Sequence, residues 1–208
     1  MAVGSGRDFW PCTMHEITRN TNMRVVVLGR APGVGKSHVA RRAAVALGGE
    51  FIEMDDMCWL PGWRLRQATP AGKEELERMV DRATGGKAWA CASAWGAYKS
   101  VVLSRADTVV YLDVGFWRTL WQLVCRTATR SWIRQPVCNG NYESLYGVLL
   151  GGKSSIFYMF LKRYWSRQHS KLATLDGLRQ SAPQARIVQL SSRAEVDAWI
   201  SSLCRERS

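Results

Sequence analysis

With 208 residues and 47% apolar content, the chain is sized for one globular domain and falls outside the disordered, collagenous and low-complexity classes. Its formal net charge of +12 suits anionic partners such as nucleotides, nucleic acid or an acidic membrane, and equally a solvated basic surface. No run of about 18 apolar residues is present, which excludes a transmembrane helix, so a membrane is not expected as a partner.

Residues 1–22 are polar and irregular, and read as a flexible extension before a single domain over 23–208. The six cysteines are scattered, without a C-x-x-C pair or a histidine at zinc spacing, which favours a reducing, cytoplasmic location. His15 has no evident partner in this stretch.

Val25-Val26-Val27-Leu28 reads as a buried parallel strand. The turn Gly29-Arg30-Ala31-Pro32-Gly33-Val34-Gly35 comes next, then Lys36-Ser37-His38 and a helical pattern of alanines and arginines. Strand, glycine-rich turn, Lys-Ser and helix make a phosphate-binding loop of the Walker A kind. A triphosphate needs many N–H donors close by, and Gly33 and Gly35 let the backbone approach. The helix N-terminus adds N–H groups and a positive dipole end. Lys36 reaches the β- and γ-phosphates of ATP, and the Ser37 hydroxyl ligates Mg²⁺. Arg30 stands where the strict pattern has glycine. An ordinary glycine turn before a helix is the alternative.

Gly48-Gly49 stops the helix, and Glu50-Phe51-Ile52-Glu53-Met54 reads as the second strand. Asp55 and Asp56 come at a strand's carboxyl end, where ligands of open α/β sheets sit. Either they serve Mg²⁺ or an acceptor hydroxyl, Asp55 first, or one of them caps the next helix. Trp59 and Trp63 flank a Pro61-Gly62 turn and either stack on a base or pack. Thr69-Pro70 opens a capped helix running to about Ala83.

Lys87 to Ala92 reads as a third strand, and it ends in Ala92-Ser93-Ala94-Trp95 with no acid. Thr108 to Asp113 is the fourth strand, and Asp113 either serves a ligand at that carboxyl end or only caps the helix after it. That helix, about Phe116 to Thr129, carries Trp117, Leu120, Trp121 and Val124 at helical spacing, which predicts a core-facing stripe. The polar, glycine-rich span 130–152 is either a lid over phosphates or a surface loop, and Arg126, Arg130 and Arg134 lie in or beside it. Ser155 to Ala173 reads as one long basic and aromatic helix with a solvated face, and His169 in it has no metal partners. Gln184 to Leu190 is the fifth strand, and Ser191-Ser192-Arg193 leads into the last helix.

Three stretches carry a resemblance to a known family: Pro32 to Ser37, the D-x-x-x-W-x-P-G-W run from Asp55 to Trp63, and Arg105 to Asp113. Trp117 to Arg126, Asn139-Gly140-Asn141 and Ser191 to Trp199 extend it over nearly all of 23–203. The chain resembles the adenylate-kinase-like P-loop proteins labelled topology modulation proteins. The resemblance implies an α/β fold, a P-loop NTPase three-layer sandwich with a mainly parallel five-stranded sheet of the nucleoside-monophosphate-kinase kind. It implies Mg-ATP, with Ala31 to His38 on the phosphates, and transfer to a nucleotide or other small acceptor. By position, Asp55 faces the acceptor, Arg126 and Arg130 belong to the lid, and Ser192 and Arg193 lie by the adenine. Relatives carry Asp-Gly-Asn-Tyr after the third strand, where this chain has Ala92-Ser93-Ala94-Trp95. Loss of that acid leaves open a catalytically weak or inactive nucleotide-binding regulatory module. Nucleic acid has no motif in its support.

Overall fold

The computed structural model describes residues 22–94, 96–143, 155–168 and 171–206. The expected extension up to residue 21 with His15, Trp95, the lid positions 144–152 and His169 lie outside them.

The five strands read from the sequence form one sheet, and all its pairings are parallel. They are β1 (Arg24–Gly29), β2 (Glu50–Glu53), β5 (Trp89–Ala92), β6 (Thr108–Leu112) and β9 (Arg186–Leu190), in the spatial order β2-β5-β1-β6-β9. Val25, Val26 and Val27 are fully buried, as a central strand covered on both faces requires. Alternation divides them between two cores. Val25 and Val27 meet α1 (Lys36–Leu47) and α8 (Arg193–Glu206) through Ala40, Ala43, Val196 and Ile200. Val26 meets the other layer, in which α3 (Pro70–Thr84), α4 (Lys99–Arg105) and α7 (Lys171–Ser181) contribute Leu76, Val80, Val102, Leu103 and Leu178.

A third, smaller cluster joins α5 (Phe116–Trp132) to α6 (Ile156–Gln168) through Leu123, Phe160 and Tyr164, and it includes Ala31 of the glycine-rich turn. Two short hairpins sit above the sheet. One is β3 (Trp59–Leu60) with β4 (Arg64–Leu65), and the other is β7 (Pro136–Val137) with β8 (Asn141–Tyr142).

Three readings change. The second strand ends at Glu53, and Met54–Cys58 forms a short helix, α2, so Asp55 and Asp56 lie in its first turn. The expected single helix over 155–173 is two helices, α6 and α7. The tryptophan stripe of α5 is inverted: Trp117, Trp121 and Val124 are exposed, while Thr119, Leu123 and Thr127 face the core. Thr119 can turn inward because its polarity is met locally: its Oγ1 donates to the Val114 and Gly115 carbonyls. The Thr127 hydroxyl is buried without such a partner among the described residues. That same rotation carries Arg126 and Arg130 to the cleft.

Candidate active site

The carboxyl ends of the strands are in register, with Glu53 opposite Ala92 and Leu112 opposite Leu190. Beyond them opens a cleft of about 2160 Å³. Gly33, Gly35, Lys36, Ser37 and His38 form one wall, Glu53, Asp55 and Asp56 the floor, and Arg126, Arg130 and Arg163 the opposite side. Trp59 and Trp63 line one end, edge to face with centroids 5.7 Å apart.

The glycine-rich turn is held from behind. A Cβ on Gly33 would lie 2.9 Å from Leu123 Cβ and 3.1 Å from the Thr119 carbonyl of α5, and its φ of +85° also disfavours a side chain. Gly35, with φ +97°, is the N-cap of α1 and lines the cleft, and a Cβ placed on it would meet nothing within 4 Å. Among the described residues, no acceptor meets the N–H groups of Gly33, Val34 and Gly35. Gly33→Ala should therefore displace the turn from α5 and weaken nucleotide binding by at least about tenfold, at a cost of about 2–3 kcal/mol in stability. Calorimetric titration and a urea melt of that variant check both effects.

Arg30 needs no left-handed backbone, so glycine is not demanded there. Its guanidinium stacks over the Tyr164 ring at 4.6 Å and lies 3.7 Å from Asp113. It thus ties the turn to β6 and α6. Asp113 serves this pair and does not cap α5, whose N-cap is Gly115.

Lys36 Nζ donates to the Ala31 carbonyl at 3.3 Å, folding back over its own loop. Loss of water around the ammonium pushes its pKa down to about 8; Asp55 and Glu53 oppose that shift, while Arg163 and Arg126 add to it. The Glu53 carboxyl is pushed up to about 7, first by desolvation, with the nearby Ser37 hydroxyl opposing the rise and Asp55 and Asp56 adding to it. Desolvation and Asp55 also raise Asp56. Glu53, one strand over from the end of β5 where the acid is absent, pairs with Ala92 and lines the cleft together with Ser37.

The sign of the Glu53 shift makes a stability prediction. A carboxyl raised from 4.5 to about 7 is bound to its proton more tightly in the fold than in the open chain, so its contribution is favourable below the lower value and is lost as pH rises through about 7. Glu53→Gln keeps an acceptor for Ser37 and removes the buried charge. It should stabilise the unliganded protein by about 1–2 kcal/mol above pH 7, discounted for partial exposure, with little change near pH 4. Thermal melts at the two pH values read this directly.

Arg126 and Arg130 converge on Glu143, at 3.6 and 3.0 Å. Desolvation lowers the pKa of Arg126. Ser131 Oγ donates to the Glu143 carbonyl at 2.8 Å, fixing the end of the second hairpin to α5. That hairpin docks on the first. Asn139 donates to the Trp59 carbonyl at 2.6 Å and to the Asp56 carbonyl. Asn141 donates to the Leu60 carbonyl at 3.0 Å and accepts from the Trp63 N–H at 2.8 Å. The Trp63 indole N–H donates to the Tyr142 carbonyl at 3.3 Å. The W-x-P-G-W and Asn-Gly-Asn stretches are therefore two halves of one clasp at the mouth of the cleft.

No family model and no curated protein matches the sequence. Solved structures do resemble it. Shikimate kinase from Acinetobacter baumannii in complex with shikimate is 18% identical, covering 89% of this chain and 93% of that one, with a TM-score of 0.51. A shikimate kinase from Bacteroides thetaiotaomicron is 14% identical over 88% of this chain and 97% of that one, with a TM-score of 0.49. A gluconokinase from Sinorhizobium meliloti 1021 is 17% identical over 90% of this chain and 97% of that one, with a TM-score of 0.46. The fold is that of this Acinetobacter baumannii enzyme. At such identities the likeness is one of fold alone.

Of the residues expected from the sequence, Pro32, Gly33, Gly35, Lys36, Ser37, His38, Asp55, Arg126 and Arg130 line the one cleft. Ala31 and Val34 are buried behind the loop. Ser192 and Arg193 are used at the start of α8: the Ser192 hydroxyl forms a capping box with Glu195, and Arg193 lies 3.8 Å from Asp197. Arg193 still acts on the cleft through His38, whose pKa falls by desolvation and then by Arg42 and Arg193. Arg134 is exposed in the turn after α5. Glu53, Glu143 and Arg163 were not singled out from the sequence. Glu53 was hidden as a strand residue, although its place as the last one of β2 was the available signal.

Proposed function

We propose that this chain is a Mg-ATP-dependent phosphotransferase acting on a small hydroxyl- or phosphate-bearing acceptor. The carrying observation is the constellation at the head of α1: a desolvated Lys36 with Ser37, Glu53 and Asp55 lining the same cleft. The N–H groups of Gly33 to Ser37 and the Lys36 ammonium hold the phosphates. Ser192 and Arg193 bound the adenine end, with His38 between.

The oxygen donors fit Mg²⁺. Ser37, Glu53 and Asp55 line the same cleft, and Asp55 bears electrostatically on both Lys36 and Glu53. Among the described residues no cluster of three or more His, Cys, Asp or Glu side chains could cage a metal, which suits an ion that keeps waters and phosphate oxygens in its shell. Bound there, Mg²⁺ neutralises charge on the phosphates. Asp55 accepts the proton of the acceptor hydroxyl as its oxygen bonds to the γ-phosphorus and the bond to ADP breaks. Arg126 and Arg130, held at fixed positions by Glu143, offset the charge on the transferring group.

The Ala92-Ser93-Ala94 replacement favours a second reading, a nucleotide-binding regulatory module without turnover, and Glu53 weighs against it. The resemblance to topology modulation proteins rests on Pro32 to Ser37, on Asp55 to Trp63 as its most specific part, on Arg105 to Asp113 and on the stretches that extend it, and it names no acceptor. Phosphorus NMR of Mg-ATP with the protein and a panel of nucleoside monophosphates, shikimate and gluconate tests the proposal. A new phosphate-ester or diphosphate resonance that requires both protein and acceptor is expected. Broadened ATP lines with no product under any acceptor would favour the regulatory module instead.

A further inference from the structure

The outer face of α5 is built against expectation for a water-facing helix. Trp117 is 78% exposed, Trp121 69% and Trp132 88%, and Val124 lies among them. Their spacings of four, seven and fifteen residues keep them within an arc of about 80° over about 22 Å of helix. Tyr158, Lys162 and Trp165 repeat the device on α6, at i, i+4 and i+7, with Trp165 63% exposed. The two stripes meet at Phe116, whose ring takes Trp117 edge-on at 5.0 Å and Trp165 edge-on at 6.4 Å. This is a continuous aromatic surface, and its like is uncommon on a face that stays in water.

Charge says what covers it. Between residues 114 and 175 the sequence has nine lysines and arginines and one acid, Glu143, so most of the +12 arises there. Glu143 is buried between Arg126 and Arg130, and neither α5 nor α6 carries a carboxylate. A second copy of the chain would bring like charges together across this face. A nucleic acid would find phosphate partners, but Val124, Ile133 and Met159, all exposed among the tryptophans, would gain nothing from its backbone. An anionic lipid surface satisfies both kinds of group: indoles sit at headgroup depth with an apolar body and a polar N–H, and basic side chains meet lipid phosphates.

We propose that the outer faces of α5 and α6 seat this protein peripherally on an anionic lipid surface, with Trp117, Trp121, Trp132 and Trp165 inserted at headgroup level and Arg118 and Lys162 over the phosphates. No helix among the described residues is long and apolar enough to cross a membrane, so the attachment proposed is peripheral, with side chains reaching only headgroup depth. Ile156, Met159 and Arg163 of α6 line the cleft, so a docked protein holds its cleft beside the lipid. The proposal is independent of what the cleft binds.

Co-sedimentation of the full chain tests it, using vesicles of equal parts phosphatidylcholine and phosphatidylglycerol against vesicles of phosphatidylcholine alone. Binding should be at least about tenfold stronger to the anionic vesicles. Trp117→Ala with Trp121→Ala should reduce it by about tenfold or more, and Lys162→Glu by about fivefold or more. Circular dichroism and the thermal midpoint of both variants should match the parent, since these side chains are exposed. Absence of binding, equal binding to both vesicles, or binding unchanged by the tryptophan substitutions would overturn it. So would a dimer in sedimentation velocity that those substitutions dissociate, or tighter, equally tryptophan-dependent binding to single-stranded oligonucleotides.

Discussion

Lys36→Met should lower phosphoryl transfer by about 10²–10³-fold or more, with the fold intact. Methionine keeps the length and apolar stem of the side chain and discards its ammonium. The hydrogen bond lost is the one to the Ala31 carbonyl, within the loop itself. Desolvation already holds the ammonium's pKa near 8, so the unliganded protein has little to lose from its removal and should melt at the same temperature or slightly higher. The loss should fall on kcat and on Mg-ATP affinity together, because Lys36 faces phosphate both before and during transfer. Steady-state kinetics beside a thermal melt separate this from unfolding. A rate unchanged from the parent would remove Lys36, and with it the loop, from the reaction.

Asn141→Ala should open the clasp. Asn141 is buried, and its amide spans both hairpins, donating to the Leu60 and Cys138 carbonyls and accepting from the Trp63 N–H. Truncation strips partners from three backbone groups, each worth about 1–3 kcal/mol if it stays dry; with water entering at the exposed rim, the net cost is about 2–4 kcal/mol. Trp63 holds a left-handed backbone at φ 55°, and once its N–H is released that conformation loses support. We expect kcat/KM for the acceptor to fall by about tenfold or more, with Mg-ATP affinity nearly unchanged, because none of the Asn141 partners belongs to the Gly29–Ser37 loop. Faster hydrogen exchange at the Trp63 amide locates the damage. Asn141→Asp, which keeps the acceptor for that amide and loses both donors, should fall between the parent and Ala. Equal effects on acceptor and nucleotide would mean that the clasp supports the whole cleft and not its acceptor end.

The sheet and the glycine-rich turn before α1 were legible because their signals are local. A run of three valines before Gly29, and two glycines before Lys36, leave few alternatives to a buried strand and a helix N-terminus at a ligand. The clasp was half legible: both of its stretches stood out, but their union spans about eighty residues and depends on backbone carbonyls that no sequence motif displays. Glu53 was missed because the expected strand ran one residue too far, placing the functional end at Asp55. Helical periodicity told that α5 has two faces without telling which is inside. Hydrophobicity put the tryptophans in; the need to bring Arg126 and Arg130 to the cleft put them out. The boundary between α6 and α7 has no glycine or proline at 169–170, which is why one helix was expected there.

Calorimetric titration of Mg-ATP at about pH 9, in buffers of different ionisation enthalpy, asks whether the nucleotide's phosphates meet Lys36. With its pKa near 8, Lys36 is mostly neutral there, and phosphates brought against it must raise that value, so binding has to take up protons. The expected result is one site per chain, uptake of most of one proton at that pH, less uptake near pH 7, and no uptake in Lys36→Met. Binding without proton uptake, or uptake that persists in Lys36→Met, would contradict the assignment of the Gly29–Ser37 loop as the seat of the nucleotide.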